Sequence, residues 1–185
     1  MVGPVLVVDD DRDVLHAARL ALTREVARVE TAGGTDGLED ILKADAYEVV
    51  LLDMNFVIGD HSGRQGLDGL ERVRAFDPNL SVVLMTAFGG VSLAVEALKR
   101  GAVDFVLKPW RNEKLVVAVR AAAELTRSRR AANLSFDLEI AERAAIQRAL
   151  AHHHGNISHA ATSLGLTRPA LYRRLARHGL AGHGA

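Results

Sequence analysis

The 185-residue sequence contains no cysteine, which excludes disulfide bonds and thiolate metal sites and fits a reducing compartment. No apolar run approaches the roughly 20 residues that a membrane helix needs. The first residues turn acidic at once, unlike a secretory signal peptide. We therefore expect a cytoplasmic protein without a membrane partner. Apolar residues make up 49% of the chain, enough for the cores of one domain of ordinary size and a second, small one.

The formal net charge is +0 at pH 7, but the charges are unevenly distributed. Residues 1–126 contain 14 Lys and Arg and 20 Asp and Glu, a net charge of −6. Residues 127–185 contain 9 Lys and Arg and 3 Asp and Glu, a net charge of +6. An acidic body with a basic C-terminal segment suggests two functions, the second with a polyanion. Charge alone fits a merely solvated basic surface equally well.

The first two thirds of the sequence alternate between strand and helix patterns. Short apolar runs predict strands buried on both faces, and apolar residues at three- and four-residue spacing between them predict helices. The last of these helices is expected over 111–130. Five strands alternating with five helices predict an α/β fold, a parallel, doubly wound sheet covered on both sides. The predicted strands are Val5–Val8, Ala27–Thr31, Val49–Leu52, Val82–Met85 and Val103–Leu107.

Polar side chains stand at the ends of four predicted strands. Ligands of parallel sheets bind beyond the carboxyl ends of the strands, so we expect these side chains to converge. Crowded carboxylates suit Mg2+, beside which a carboxylate can attack a phosphoryl group while a Lys and a Thr hydroxyl bind its oxygens. Taken singly, each has an ordinary structural explanation, such as an Asp that caps a helix. The residues are Asp9-Asp10-Asp11, Asp53, Thr86 and Lys108.

As a set, these residues make the chain resemble the receiver domain of bacterial response regulators, over about residues 3–125. The resemblance implies a five-stranded flavodoxin-like domain. It also implies a role in a two-component system, in which the signal is passed on by phosphorelay. The motifs that carry it are Val7-Val8-Asp9-Asp10-Asp11, Leu51-Leu52-Asp53-Met54-Asn55, Leu67-Asp68-Gly69-Leu70, Thr86-Ala87 and Gly101-Ala102-Val103-Asp104-Phe105-Val106-Leu107-Lys108-Pro109.

The resemblance also implies a phosphoacceptor and its metal. Asp53 would accept the phosphoryl group from a sensor histidine kinase. Asp10 and Asp53 would hold Mg2+ directly, Asn55 through its backbone carbonyl, and Asp9 mainly through water.

The remaining residues of the motifs would respond to the phosphoryl group. Thr86, with its neighbour Ala87, and Lys108 would lie at the phosphoryl oxygens. Phe105 matches a switch position, where an aromatic ring turns inward as the Thr hydroxyl moves to the phosphate. A simple core aromatic explains Phe105 equally well.

One segment departs from the family pattern. Gly69 lies 16 residues after Asp53, a longer separation than the family usually shows, and no proline intervenes. The extra residues fall within Phe56–Gly66, which contains three glycines and is predicted to be a surface loop beside the site. Such a loop could shield an acyl phosphate from water or contact the kinase, but a tolerated insertion is favoured.

Residues 135–180 follow helical patterns. A helix with an apolar stripe that includes Leu138, Ile140 and Ala149 is followed by a short helix over Ile157–Leu164. A Gly165 turn then leads to a helix capped by Thr167. Two short helices joined by such a turn predict a helix-turn-helix, although a basic bundle for protein contacts has the same pattern. The last helix is predicted to turn Ala170, Leu171, Leu175 and Ala176 inward.

This segment, Glu139–Leu180, resembles the Fis-type DNA-binding domain of NtrC-family regulators. The residues that carry the resemblance are Ala149-Leu150, Gly155-Asn156-Ile157-Ser158, Ala160-Ala161, Leu164-Gly165-Leu166, Arg168-Pro169-Ala170-Leu171-Tyr172-Arg173-Arg174-Leu175 and His178-Gly179-Leu180. The resemblance implies a homodimer formed through the first helix of this domain, with paired recognition helices on a palindromic DNA site. We expect Arg168 and Arg173 at base edges, Thr167, Arg174 and Arg177 at phosphates, and Ala170 at the same surface.

Most relatives with this C-terminal domain carry a central ATPase, but the sequence has no Gly-x-x-x-x-Gly-Lys-Ser/Thr phosphate loop. We predict a receiver domain over 1–125, a linker over 126–134 and a small all-α helix-turn-helix domain over 135–185. Phosphorylation would then act through DNA affinity, dimerisation or contact with RNA polymerase, with either sign of transcription regulation. A metal site at the three consecutive residues His152–His154 is disfavoured, because neighbours on a helix point in different directions.

Two alternatives stay open at this point. A phosphatase with an aspartyl-phosphate intermediate would need a second acidic residue two positions after the nucleophile, where this chain has Asn55, so we do not expect an enzyme. A phosphorelay or partner-binding module whose basic helical domain only dimerises is the second alternative. Failure to bind DNA at low salt would favour it.

Overall fold

The computed structural model describes residues 1–55, 64–87 and 91–180. These residues form two compact units, Met1–Arg130 and Ala131–Ala185. The strands are β1 (Val5–Val8), β2 (Val29–Ala32), β3 (Val49–Asp53), β4 (Ser81–Thr86) and β5 (Asp104–Leu107). The helices are α1 (Arg12–Leu22), α2 (Leu38–Ala44), α3 (Arg64–Phe76), α4 (Val91–Lys99), α5 (Asn112–His152), α6 (Ile157–Ser163) and α7 (Arg168–Arg177).

The five strands form one parallel sheet in the order β2-β1-β3-β4-β5. This arrangement confirms the predicted flavodoxin-like α/β fold. The central strands β1, β3 and β4 are buried along their whole length, which is why their sequences are continuous apolar runs. The edge strand β2 is only half-buried. It begins at Val29, two residues later than the weaker sequence pattern predicted.

Each face of the sheet carries its own apolar core, as a doubly wound fold requires. On one face, α1 and α5 pack through residues such as Leu22 and Leu115 against Val7 and Met85. On the other face, α2, α3 and α4 contribute to a second core around Leu52. The sheet is thereby fixed from both sides, and the carboxyl ends of its strands form one edge.

The residues predicted to begin a linker are helical and partly buried. Thr126 has no solvent exposure. Its Oγ1 lies 2.7 Å from the carbonyl oxygen of Glu48, to which it donates, and accepts a hydrogen bond from the Ser81 N–H at 2.9 Å. Arg130 pairs with Asp77 at 2.8 Å. Residues 126–130 therefore belong to the first unit, because these contacts hold them against the sheet. The division into domains at 125 and 135 stays a prediction.

The second unit has a small core of its own. Ile146 of α5, Ala160 and Ala161 of α6, and Leu171 and Leu175 of α7 are buried together. The two alanines allow α6 and α7 to approach, and Gly165 between them has a φ of 67°, a conformation that favours glycine. The predicted helix-turn-helix is present in the described part of the chain.

Two details of the predicted core of this unit were wrong. Leu138 and Ile140 are exposed, because the core of this unit is reached only from Ile146 onward. Ala176 is also exposed and Ala170 is half-buried, while Leu171 and Leu175 point inward as predicted.

Candidate functional site

Three charged side chains from three strand ends meet at the carboxyl edge of the sheet. The Nζ atom of Lys108, just after β5, lies 2.6 Å from Oδ1 of Asp53, the last residue of β3. The same Nζ atom lies 2.6 Å from Oδ2 of Asp9, just after β1. Both carboxylates are buried. The parallel pairing of β1 with β3, of β3 with β4 and of β4 with β5 brings these residues together although they are far apart in sequence.

The backbone orients the carboxylate of Asp53. Its Oδ2 accepts a hydrogen bond of 3.0 Å from the backbone N–H of Asn55, and its Oδ1 contacts Lys108. One oxygen is thus held by the chain that follows β3 and the other by a neighbouring cation. The side chain is 6% exposed, so a reacting group would reach it only from the carboxyl edge of the sheet.

Asp9 is the most strongly perturbed acid at this edge. Its pKa is raised from 3.8 to about 6, mainly by burial and also by the negative charge of Asp53, against the opposing effect of the Lys108 ammonium. Its second oxygen accepts a hydrogen bond of 3.1 Å from the backbone N–H of Asp11. A buried carboxylate that costs free energy to ionise is suited to a site that gains a cation.

The donor set fits a hard divalent cation. Each of Asp9, Asp10 and Asp53 offers a carboxylate oxygen, and these oxygens lie within 4.8 Å of one another. Asp9 and Asp53 are buried while Asp10 is exposed, so the group opens to solvent on one side. Oxygen donors with an open side match magnesium, which keeps several water ligands. The fourth predicted ligand, Asn55, is half-buried and adjoins the group through its backbone contact with Asp53.

The third acidic residue of the motif has a different role. Asp11 is the N-cap of α1, and its side chain accepts hydrogen bonds from the backbone N–H groups of Asp13 and Val14 at 2.8 and 3.4 Å. The helix-cap interpretation thus applies to Asp11. By fixing the start of α1, it also fixes the turn that carries Asp9 and Asp10.

The predicted phosphoryl-binding residues lie at the same edge. Thr86 ends β4 and is buried, while Ala87 after it is exposed. The carbonyl oxygen of Thr86 accepts a hydrogen bond of 2.8 Å from the backbone N–H of Lys108. This bond sets the hydroxyl of Thr86 and the ammonium of Lys108 on adjacent strand ends, which is the arrangement that two ligands of one anion need.

Phe105 points away from the core. Its side chain is 37% exposed, although Val106 beside it in β5 is buried. A core aromatic would be buried, so the structure removes that alternative for this conformation. An outward ring is what the switch hypothesis expects of the unphosphorylated state.

The sequence pattern predicts Gly66 in a surface loop, whereas the structure places it in α3, buried against the end of β3. An added Cβ there would lie 2.5 Å from Cα of Met54 and 2.8 Å from the carbonyl oxygen of Asp53, closer than atoms pack. The Gly66 N–H donates to the Met54 carbonyl oxygen at 3.1 Å. The first turn of α3 therefore packs directly on the backbone of the candidate acceptor. Since α3 begins at Arg64, the last three residues of the predicted loop are helical; residues 56–63 lie outside the described residues.

The predicted recognition helix α7 is strongly cationic. Thr167 caps it, accepting a hydrogen bond from the Ala170 N–H at 3.4 Å. Arg168 and Arg173 are exposed, and the Arg168 guanidinium lies 5.7 Å from the ring centre of Tyr172. Exposed guanidinium groups on such a helix suit the acceptor atoms of base edges and phosphates.

Two further arginines of α7 are already paired. Nε of Arg174 lies 2.6 Å from Oε1 of Glu142, and Arg177 contacts Oε2 of the same carboxylate. Nε2 of His178 lies 2.8 Å from that second oxygen. The His178 and Arg174 contacts lower the pKa of Glu142 to about 2. Sequence patterns did not single out Glu142.

A cluster of imidazoles lies where α5 ends. The ring centres of His152 and His153 are 4.8 Å apart, and those of His153 and His159 are 6.0 Å apart. Desolvation and the neighbouring imidazoles lower the pKa of His153. Across residues 1–55, 64–87 and 91–180, only the aspartates described above form a group of three or more close enough to share a cation.

With this fold and site, the chain belongs to the response regulator receiver domain family, whose family model matches residues 5–120. A second family model, "Bacterial regulatory protein, Fis family", matches residues 137–178. The short stretch 121–136 between the two matches leaves no room for a central ATPase domain.

Similar proteins include two transcriptional regulatory proteins. The chain is 32% identical over 123 residues to the alginate biosynthesis transcriptional regulatory protein AlgB of Pseudomonas aeruginosa, covering 66% of this chain and 26% of AlgB. It is 34% identical over 124 residues to the C4-dicarboxylate transport transcriptional regulatory protein DctD of Rhizobium meliloti, covering 66% and 26%. The chain thus spans about a quarter of the length of these relatives.

Solved structures give the same fold. The N-terminal receiver domain of a two-component response regulator from Bacteroides fragilis matches with a TM-score of 0.60 and 39% identity, over 66% of this chain and 98% of that one. NtrX from Brucella abortus matches with a TM-score of 0.61 and 29% identity, over 70% of this chain and 29% of NtrX. Among the described helices, none is both long and apolar enough to cross a membrane.

Proposed function

We propose that the protein is a response regulator of a two-component system, phosphorylated on Asp53 by a sensor histidine kinase and acting as a DNA-binding transcription regulator. The observation that carries this proposal is the contact of the buried Asp53 carboxylate with Lys108, beside two further carboxylates within 4.8 Å. Both proposed partners, the phosphoryl-donating histidine of the kinase and DNA, lie in the cytoplasm of bacteria. We therefore propose that the protein is cytoplasmic. Its output is binding to DNA and not the turnover of a substrate.

The acceptor chemistry follows from the two oxygens of Asp53. One carboxylate oxygen attacks phosphorus, the O–P bond forms as the P–N bond to the donor histidine breaks, and the electron pair of that bond leaves with the imidazole. Asp9, Asp10, Asp53 and the carbonyl of Asn55 would hold Mg2+, which supplies charge neutralisation for the phosphoryl oxygens.

The residues around Asp53 would then bind the product. The ammonium of Lys108 is already within contact of the carboxylate, so it can follow the charge onto a phosphoryl oxygen. The Thr86 hydroxyl, with the adjoining Ala87 backbone, would bind a second oxygen. To reach that oxygen, the Thr86 hydroxyl would move toward the phosphoryl group. We propose that this movement opens space for the exposed ring of Phe105 to turn inward and so changes the surface of the first unit.

The DNA-binding proposal rests on α7. Arg168 and Arg173 are exposed and would contact base edges, and Thr167, Arg174 and Arg177 would contact phosphates, with Ala170 against the same groove. The match of residues 137–178 to the Fis family supports this assignment. Contact with RNA polymerase is a further means of output for a regulator without an ATPase domain.

A homodimer is proposed from the apolar surface of α5. Every residue of 131–140 is exposed, yet four of them are large and apolar. Two residues along a helix turn through about 200°, so Leu134 and Leu138 lie opposite Phe136 and Ile140. Such a helix exposes apolar area on two sides, and pairing with the same helix of a second copy would cover part of it. Recognition of a palindromic site would follow from the twofold symmetry.

The test is binding of the full chain to random-sequence duplex DNA at low and moderate salt, before and after treatment with acetyl phosphate and Mg2+. We expect salt-sensitive binding that phosphorylation changes, and loss of that change in Asp53→Asn. Absence of binding even at low salt would favour instead a phosphorelay or partner-binding module whose basic helices only dimerise.

A further inference from the structure

Glu142 draws together most of the positive charge at the C-terminal end of α7. Its two carboxylate oxygens contact Arg174 Nε at 2.6 Å, Arg177, and His178 Nε2 at 2.8 Å. Its side chain is 28% exposed, and those of Arg174 and Arg177 are 35% and 57% exposed. The contacts are therefore at the surface of the unit, where DNA would also approach.

A carboxylate that receives guanidinium groups in this way presents the same chemistry as a phosphate. Both groups are anionic, both offer adjacent acceptor oxygens, and both are bound by arginine through N–H donors. Three donors leave little of the acceptor capacity of the Glu142 carboxylate unused. In the free protein, the two arginines expected at DNA phosphates are thus already occupied by an anion of the chain itself.

We propose that Glu142 competes with DNA phosphates for Arg174 and Arg177 and thereby lowers the sequence-independent affinity of the protein for DNA. This inference rests on the proposed DNA binding. A phosphate must displace Glu142 before either arginine contributes, so sequence-independent affinity is reduced. Within the described residues, neither Arg168 nor Arg173 contacts Glu142. Their expected contacts with bases are therefore unaffected. The competition therefore lowers the phosphate contribution to DNA binding and leaves the base contacts unchanged.

The salt dependence of DNA binding separates this role from simple charge. Each phosphate contact contributes about 0.9 to the slope of log K against log salt concentration. Glu142→Gln keeps the size of the side chain, but it replaces one acceptor oxygen with an NH2 donor and gives up the charge that holds the arginines. We expect it to bind random-sequence duplex about threefold to tenfold more tightly, the range of one or two exposed ion pairs, with a slope steeper by about 1 to 2.

The matched control is Glu139→Gln. Glu139 is exposed on the same helix, three residues earlier, and makes no arginine contact within the described part of the chain. It changes the net charge equally. The experiment uses the full chain, a fluorescent random-sequence duplex and anisotropy over a range of salt, with circular dichroism to verify folding. An increase in Glu142→Gln that Glu139→Gln does not share supports the proposal, and equal behaviour of the two variants overturns it.

Arg177→Ala provides a second arm that does not depend on folding of the Glu142 variant. Because Glu142 blunts the contribution of Arg177, this substitution in the wild type should change the slope by less than half of the roughly 0.9 expected for a full phosphate contact. A full change would overturn the proposal. Absence of DNA binding in the wild type and in Glu142→Gln would overturn the DNA-binding function as well, which distinguishes the two failures.

Discussion

Lys108 contacts Asp9 at 2.6 Å, from Nζ to Oδ2, and yet the pKa of Asp9 is raised to about 6. Burial of a carboxylate with no solvent exposure outweighs the attraction of one ammonium, which is shared with Asp53 at the same distance. The site therefore carries an excess of negative charge that a bound cation would offset.

Asp9→Asn tests this balance through pH. A carboxyl group with a raised pKa holds its proton more tightly in the folded state, so its ionisation opposes folding. The stability of the wild type should therefore fall relative to Asp9→Asn as pH rises from about 4 to about 6, by roughly 2 to 3 kcal/mol. Urea unfolding without Mg2+, followed by the fluorescence of Trp110, measures the difference in the first unit. The exposed Asp10→Asn is the control, and a gap that is independent of pH would contradict the account.

Gly66→Ala should disturb the acceptor through packing. The new Cβ meets the backbone of Met54 and Asp53 at 2.5 and 2.8 Å, so either α3 or the end of β3 must move. We expect a loss of about 1 to 3 kcal/mol in unfolding free energy and slower phosphorylation by acetyl phosphate. Gly34→Ala, which meets no atom within 4 Å, should leave both unchanged. Equal phosphorylation rates for the two variants would count against close packing on the acceptor.

Thr126→Val should weaken the attachment of α5 to the sheet. The hydroxyl of this fully buried residue donates to the Glu48 carbonyl and accepts from the Ser81 N–H. In the valine variant, both backbone groups lose this partner. Loss of the buried hydrogen bonds should cost about 1 to 3 kcal/mol by urea unfolding. Thr126→Ser retains the hydroxyl and should lose clearly less. If Thr126→Val were as stable as the wild type, the hydrogen bonds of Thr126 would not hold residues 126–130 against the sheet.

The apolar surface of α5 makes a prediction about assembly. Phe136, which is 64% exposed, lies on the surface proposed to pair two chains. Light scattering after size exclusion should give about twice the chain mass of 19.9 kDa for the wild type and the single mass for Phe136→Glu. Leu20→Glu changes a residue of α1 that is 66% exposed and should stay dimeric. A wild type that is monomeric at high concentration would refute pairing through this helix.

The fold and the acceptor edge could be predicted because their signals are local. Strands buried on both faces must be apolar throughout, so β1, β3 and β4 stand out, whereas the half-buried β2 was misplaced. The edge residues Asp9, Asp53 and Lys108 follow from strand ends together with the parallel order. Their mutual contacts confirm that they converge.

The features that were missed depend on tertiary contacts. Thr126 was assigned to a linker because its neighbours are polar and basic, and only its contact with Ser81 shows it to be buried. The core of the second unit begins at Ile146. Helical periodicity alone could not distinguish this buried residue from the exposed Leu138. The pairing of Glu142 with Arg174 joins residues 32 positions apart, a separation at which no sequence pattern operates.

The central claim is that Asp53 accepts a phosphoryl group, and intact mass spectrometry tests it most directly. The full chain is incubated with acetyl phosphate and Mg2+, and the mass is measured for the wild type, Asp53→Asn and Asp10→Asn. We predict one phosphoryl adduct on the wild type, none on Asp53→Asn, and a slower adduct on Asp10→Asn because a cation ligand is lost. An unmodified wild type, or an adduct that persists in Asp53→Asn, would contradict the account.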